Sequence, residues 1–393
     1  MAQLYPHRKF WFAFRAVMVL GILLVAIGLY YDIHIPFLFG LSVREIFWLI
    51  LLPIIVVIMY LAPMLWRNIC PLATVSMWRY AMFGRRKLSK IGIKANELTG
   101  VMGVLHDLIR KRGLLISVLL FWSIIPYRLI AFNADSHATF WLVAAVFGAA
   151  FVFGALFPVK SGWCTSICPM AAAEKAYGMN PAIEVKNNRC YFLNQPENKV
   201  MSCSGCSFNC WDVVEPEFGY WQASGQGIFH ATLNAHMRKV FVATLPGFML
   251  AFSLVSSKVL VIPGAGGAKV FTLYAFFAVM MVLSAVVYYT FKAMKKKSIR
   301  KSIVDSKEAE TAYSVAKRRL DLFVVGLSMN VIWVFLSYAW THSLLVKIFA
   351  IDEVAQGVLW TILVFAFFFV SLGGMRSGWN EKPGVGNYRT SWW

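Results

Sequence analysis

The chain reads as an all-α polytopic membrane protein of about eight transmembrane helices. Three observations predict this. Of 393 residues, 59% are hydrophobic and only 14% charged, with mean hydropathy +0.64. A soluble globular chain carries about 45–50% apolar and about 25% charged residues, so a water-soluble enzyme is excluded at the outset. Eight apolar stretches come near the roughly 20 residues that a bilayer crossing needs. The basic residues, finally, fall on alternate sides of those stretches.

The stretches run over 10–31, 45–66, 114–133, 138–158, 240–262, 270–291, 320–342 and 349–372. Trp and Tyr enrich their flanks, as expected at membrane–water interfaces. The first is expected to stay in the protein, since its apolar run is too long for a cleaved signal and no small-residue cleavage site follows. With the N-terminus inside, the inner segments are 1–9, 67–113, 159–239, 292–319 and 373–393, holding 32 of the 38 Lys and Arg. Only Arg44, Lys269 and Lys347 fall in outer loops. This asymmetry predicts an N-in, C-in protein of the inner (cytoplasmic) membrane. The net charge of +20 then reflects basic inner loops touching anionic lipid, and not a nucleic-acid partner.

Four regions follow. Residues 1–159 hold spans one to four, with a basic loop at 67–113. Residues 160–239 form a cysteine-rich cytoplasmic segment, 240–373 hold spans five to eight, and 374–393 are a tail. Within the basic loop, Leu98, Val101, Met102, Leu105, Leu108 and Ile109 recur at helical spacing, which predicts an amphipathic helix on the inner leaflet leading into span three.

The chemistry lies in the cysteines. All seven (Cys70, Cys164, Cys168, Cys190, Cys203, Cys206 and Cys210) fall in inner segments, and six lie within 47 residues. A reducing compartment argues against disulfides and for metal or redox chemistry. Cys164 and Cys168 form C-x3-C-P, while Cys203, Cys206 and Cys210 form C-x2-C-x3-C. Short steps of this kind let several thiolates converge on the irons of one iron–sulfur cluster. Gly205 permits the tight turn between Cys203 and Cys206. A zinc site prefers paired C-x2-C elements or histidines at fixed spacing, and only one C-x2-C is present. The fourth ligand beside Cys203, Cys206 and Cys210 is Cys190, Cys164 or Cys168. If it is Cys190, then Cys70, Cys164 and Cys168 remain as a three-thiolate set for a second cluster.

An internal repeat adds to this. Ile69-Cys70-Pro71-Leu72-Ala73 follows span two, and Ile167-Cys168-Pro169-Met170-Ala171 follows span four. The first copy carries Trp66 where the second has Cys164. On these motifs the chain resembles the membrane polyferredoxin-type proteins of nitrate and nitrous oxide reductase systems, and the related membrane protein of cytochrome oxidase assembly. The likeness covers about residues 45–215. It implies [4Fe-4S] clusters on the cytoplasmic side and electron passage between a cytoplasmic or quinol donor and a membrane or extracytoplasmic acceptor. Its ligands would be drawn from Cys164, Cys168, Cys190, Cys203, Cys206 and Cys210. Trp66 and Trp211 depart from the pattern, standing where the family has a cysteine and a proline. With seven thiols, one cluster is expected and a second is left open.

The function expected is therefore a membrane-bound electron-transfer component, with redox protein partners, and not a substrate-converting enzyme. The alternative is an assembly or interaction protein stapled by structural zinc. A transporter with a redox-sensing loop would need a polar path that spans five to eight barely offer. Asn330, Tyr338 and His342 in span seven offer polar groups for a quinone, or a bond to a neighbouring helix. Glu174, Glu184, Glu197, Asp212, Glu215 and Glu217 read as a solvated surface. Trp211, Tyr220 and Trp221 suit either cluster shielding or interfacial anchoring. The glycine-rich Pro263–Lys269 segment lacks the strand and spacing of a phosphate loop and reads as an outer turn.

Overall fold

The computed structural model describes residues 2–4, 8–36, 40–62, 65–66, 69–76, 78, 100–156, 163–177, 183–185, 230–303, 309–342 and 352–380. Eight of its helices are long and apolar enough to cross a membrane, which makes the chain an all-α, multi-pass membrane protein. They are α1 (Arg8–Tyr30), α2 (Val43–Leu61), α4 (Gly100–Tyr127), α5 (Ser136–Leu156), α7 (His230–Ser256), α8 (Gly266–Ile303), α9 (Ala309–Trp340) and α10 (Glu353–Asn380). Two short helices lie at one end, α3 (Pro71–Ser76) and α6 (Pro169–Tyr177). Strand pairing is slight. The strand at Ala2–Leu4 runs parallel to the one at Ile183–Val185, and His34–Ile35 runs antiparallel to Leu41–Ser42.

Two spans lie inside the bundle and the rest face lipid. Of their apolar windows, 61% of α7 and 56% of α9 is buried, against 33% or less for every other span. In α7, Phe241 and Phe248 are fully buried and meet Phe121 of α4 edge-on and tilted. Gly247 makes the close α7–α8 crossing possible, since a Cβ there would sit 2.0 Å from the Met280 carbonyl oxygen. Ser284 of α8 donates to the Ala243 carbonyl at the same crossing, 2.7 Å away.

Proline sets one polar link across the core. Pro246 has no N–H, so the Val242 carbonyl one turn earlier loses its helical donor. Ser328 of α9 supplies the missing bond, its Oγ standing 3.2 Å from that oxygen. The Tyr177 hydroxyl, at the end of α6, shares a 3.0 Å hydrogen bond with the same serine. The short helix at the cysteine end is thereby tied to the membrane interior.

At the opposite end, Ser42 and Glu45 form a capping box that starts α2. The Arg128 guanidinium lies over the Trp48 ring, 4.5 Å from its centroid, and donates to the Trp48 carbonyl and to Asn133. A cation at this depth persists because its donors are used and its face is stacked on an aromatic ring.

Three elements differ from the sequence reading. The amphipathic segment at 101–109 is no separate surface helix but the first turns of the continuous helix α4. Ile109 is buried against Leu105, Phe153, Leu156 and Ile167, while Val101 and Val104 stay exposed. Helix α7 begins at His230, ten residues before the expected span, and α8 continues to Ile303, well past it. Hydropathy marks only the apolar middle of a helix, and a helix does not stop where lipid does.

The Ser328 link makes a prediction. Ser328→Ala leaves a buried carbonyl and Tyr177 without their partner and should cost about 1–3 kcal/mol, read as a lower melting temperature in detergent. In a Pro246→Ala background the restored N–H satisfies Val242, so the cost of Ser328→Ala should shrink and not vanish.

Candidate metal centre

The repeated motif folds the same way twice. In each copy the cysteine stands directly before a helix whose first residue is proline, Pro71 of α3 and Pro169 of α6. Proline suits that place because its missing N–H is not needed there and its φ is preset. The turns leading in differ by one residue. The Cys70 N–H donates to the Trp66 carbonyl at 2.8 Å, and the Cys168 N–H donates to Trp163 at 3.0 Å. The second turn is wider, a π-type segment at Trp163–Ile167 that carries Cys164.

The two copies meet. Cys70, Trp66 and Ala73 pack in one cluster with Leu72, Cys164 and Met170. Cys168, Trp163 and Ala171 pack in an adjoining cluster that shares Leu72, Cys164 and Met170. Gly154 of α5 permits the approach, since a Cβ there would lie 2.2 Å from the Ser76 carbonyl oxygen at the end of α3. Ser76 in turn brings its hydroxyl to 3.8 Å from the Cys164 sulfur. Ser117 of α4 locks the second copy. It is fully buried, donates to the Cys168 carbonyl at 2.6 Å and accepts the Ala172 N–H at 3.1 Å.

Electrostatics follow from this packing. Burial pushes the Cys168 thiol well up, and the neighbouring Cys164 and Cys70 raise it further. A hydrogen bond from the Met170 backbone opposes the shift, and Glu174 adds to it. Glu174 is 6% exposed, so it belongs to this interior and not to the solvated surface expected of it. Two thiols close enough to oppose the ionisation of a third are a poor arrangement for a bare Cys168 thiolate. A bound cation reverses that balance.

The donor set suits a thiophilic metal in kind. The indole N–H of Trp163 is buried with no acceptor among the described residues, so it could serve an acceptor atom on a group bound beside Cys164 and Cys168. The geometry is not that of a finished site. Among the described residues, no three His, Cys, Asp or Glu side chains are grouped so as to hold one metal ion. Cys190, Cys203, Cys206 and Cys210 lie outside the described residues, as do Trp211, Tyr220 and Trp221. The structure thus brings together Cys70, Cys164 and Cys168.

The span-seven polar groups are bonded to neighbouring side chains within the bundle. Asn330 donates to Gly326 of its own helix and to Ser371 of α10, which also bonds Tyr60 of α2 at 2.7 Å. His342 stacks on Tyr338 and lies 3.4 Å from Gln356. Ser117 and Ser76 escaped the sequence reading. A serine in an apolar span carries no motif, and its role appears only when the opposing helix end is seen.

The arrangement defines a polytopic membrane protein with a thiol cluster at one end of its bundle. Comparison with protein-family models, with curated proteins and with solved structures finds no match.

Two outcomes are expected here. Ser117→Ala should loosen the start of α6 and speed alkylation of Cys168 in the folded, metal-depleted chain, measured by mass spectrometry. The folded chain holds the Cys168 proton more tightly than the unfolded chain does. The metal-depleted protein should therefore lose stability as pH rises past the ordinary thiol value of about 8.5. Cys168→Ser should flatten that pH dependence.

Proposed function

We propose that this protein is a membrane-bound iron–sulfur electron carrier, with its thiol end facing the cytoplasm across the inner membrane. The observation that carries the reading is the meeting of the two Ile-Cys-Pro turns, which sets Cys70, Cys164 and Cys168 against one another. Thiols on the cytoplasmic side stay reduced and available to iron. The excess of Lys and Arg in the segments at that end supports the orientation.

The residues present have distinct tasks in this reading. Cys164 and Cys168, with Cys70 opposite, supply thiolates from one side. Cys203, Cys206 and Cys210 supply the local ferredoxin-like set, with Cys190, Cys164 or Cys168 as the fourth. A [4Fe-4S] cluster, when bound, accepts and returns one electron at a time. Trp163 and Trp66 are buried beside the thiols and would lower the local dielectric, and the Trp163 N–H, without an acceptor among the described residues, would be available to a bound sulfide. Ser117 and Gly154 hold the turns in register. The donor is a cytoplasmic protein or a quinol, and the acceptor lies in the membrane or beyond it.

Anaerobic purification with iron and acid-labile sulfide quantification tests this. The expected result is iron and sulfide in equal amounts, with visible absorption that bleaches on reduction. Cys203→Ser should remove most of the iron. Cys164→Ser should remove part of it if the turns contribute ligands, and none if the site is purely local. A colourless protein rich in zinc overturns the reading.

A further inference from the structure

Helix α8 carries a groove along its lipid side, away from the thiols. A cavity of about 650 Å³ runs between α8, Trp122 of α4, and Thr244 and Phe248 of α7. Its floor on α8 is a ladder of Tyr274, Ala278, Val282, Ala285 and Tyr289, with Thr290 beside its last step. The steps of three or four residues keep these positions on one face. From Tyr274 to Thr290 the ladder rises about 24 Å, most of the roughly 30 Å hydrocarbon core. The groove is narrow, long and lined almost wholly by apolar and aromatic groups, which is the shape of a hydrocarbon chain.

The same face continues past the groove into charge. One turn beyond Tyr289 comes Ala293, a small residue, and a further turn brings Lys296 on that face with Lys297 beside it at the edge, both exposed. Their neighbours are otherwise engaged. Lys292 pairs with Asp321 of α9 at 2.6 Å, and Lys295 lies over the Phe291 ring. Side chains on a helix lean toward its N-terminus. On α8 that direction is toward the membrane, so both side chains lean toward the inner end of the groove.

We propose that this groove seats one acyl chain of an anionic phospholipid, with Lys296 and Lys297 holding its phosphate. The charge selects the occupant. A zwitterionic lipid gains little from two adjacent lysines, and a helix of another protein chain would leave them buried without counter-charge. The site does not depend on the thiol cluster, so it can fail or stand without touching the electron-carrier reading.

Native mass spectrometry of the purified full-length protein, delipidated and titrated with phosphatidylglycerol or phosphatidylcholine, tests it. The expected result is one tightly held phosphatidylglycerol per chain, preferred over phosphatidylcholine. Lys296→Gln with Lys297→Gln should reduce that preference by about tenfold to thirtyfold. Ala285→Trp should fill the groove and release the lipid while both lysines remain. Val279→Trp, on the neighbouring exposed face, should leave binding unchanged and controls for folding. Equal retention of the two lipids overturns the proposal. So does binding that survives Ala285→Trp, or a groove occupied by a second copy of the chain, seen as a dimer mass lost in the Ala285→Trp variant.

Discussion

A cysteine followed by proline at the start of a helix, used twice and pressed face to face, is the constraint on which the rest of this structure depends. Proline fixes where each short helix begins, and so fixes where each sulfur stands relative to its span. The approach of the two turns then requires a position with no side chain, Gly154, against the end of the first short helix. It also requires a buried hydroxyl, Ser117, that satisfies both a carbonyl and an N–H at the start of the second.

The thiol end is anchored from below. Tyr177 ends α6 inside the same core as Phe241 and Phe248, and its hydroxyl reaches the serine that compensates for Pro246. The last four spans therefore do more than cross the bilayer. They form a stiff support under the turn that carries Cys164 and Cys168. Burial here has an electrostatic consequence too, because a thiol with other thiols for neighbours and little water resists ionising. A cation relieves that resistance.

Much of this was legible in the sequence. The eight spans and the repeat at Cys70 and Cys168 follow from hydropathy and from spacing alone, because both are local properties. The meeting of the two copies was not legible, since it rests on Gly154 and Ser117, residues without a motif. The surface reading of Glu174 failed for a related reason: charge predicts exposure only when nothing packs over it. The segment at 101–109 has the apolar period of a surface helix, yet it is the first turns of the continuous helix whose apolar window begins at Arg112. The period shows that a helix has an apolar face and does not show what covers it.

The most direct test of the central claim uses a chain in which Cys190, Cys203, Cys206 and Cys210 are serine, leaving only Cys70, Cys164 and Cys168. Titration with cobalt(II), followed by its thiolate charge-transfer absorption, reports whether the three sulfurs share one ion. One cobalt per chain is predicted: the three sulfurs, which are not grouped to hold one ion without it, close on the metal, and the absorption is weakened by further loss of any one of the three. No binding, or binding indifferent to Cys70→Ser, would contradict the convergence of the two turns.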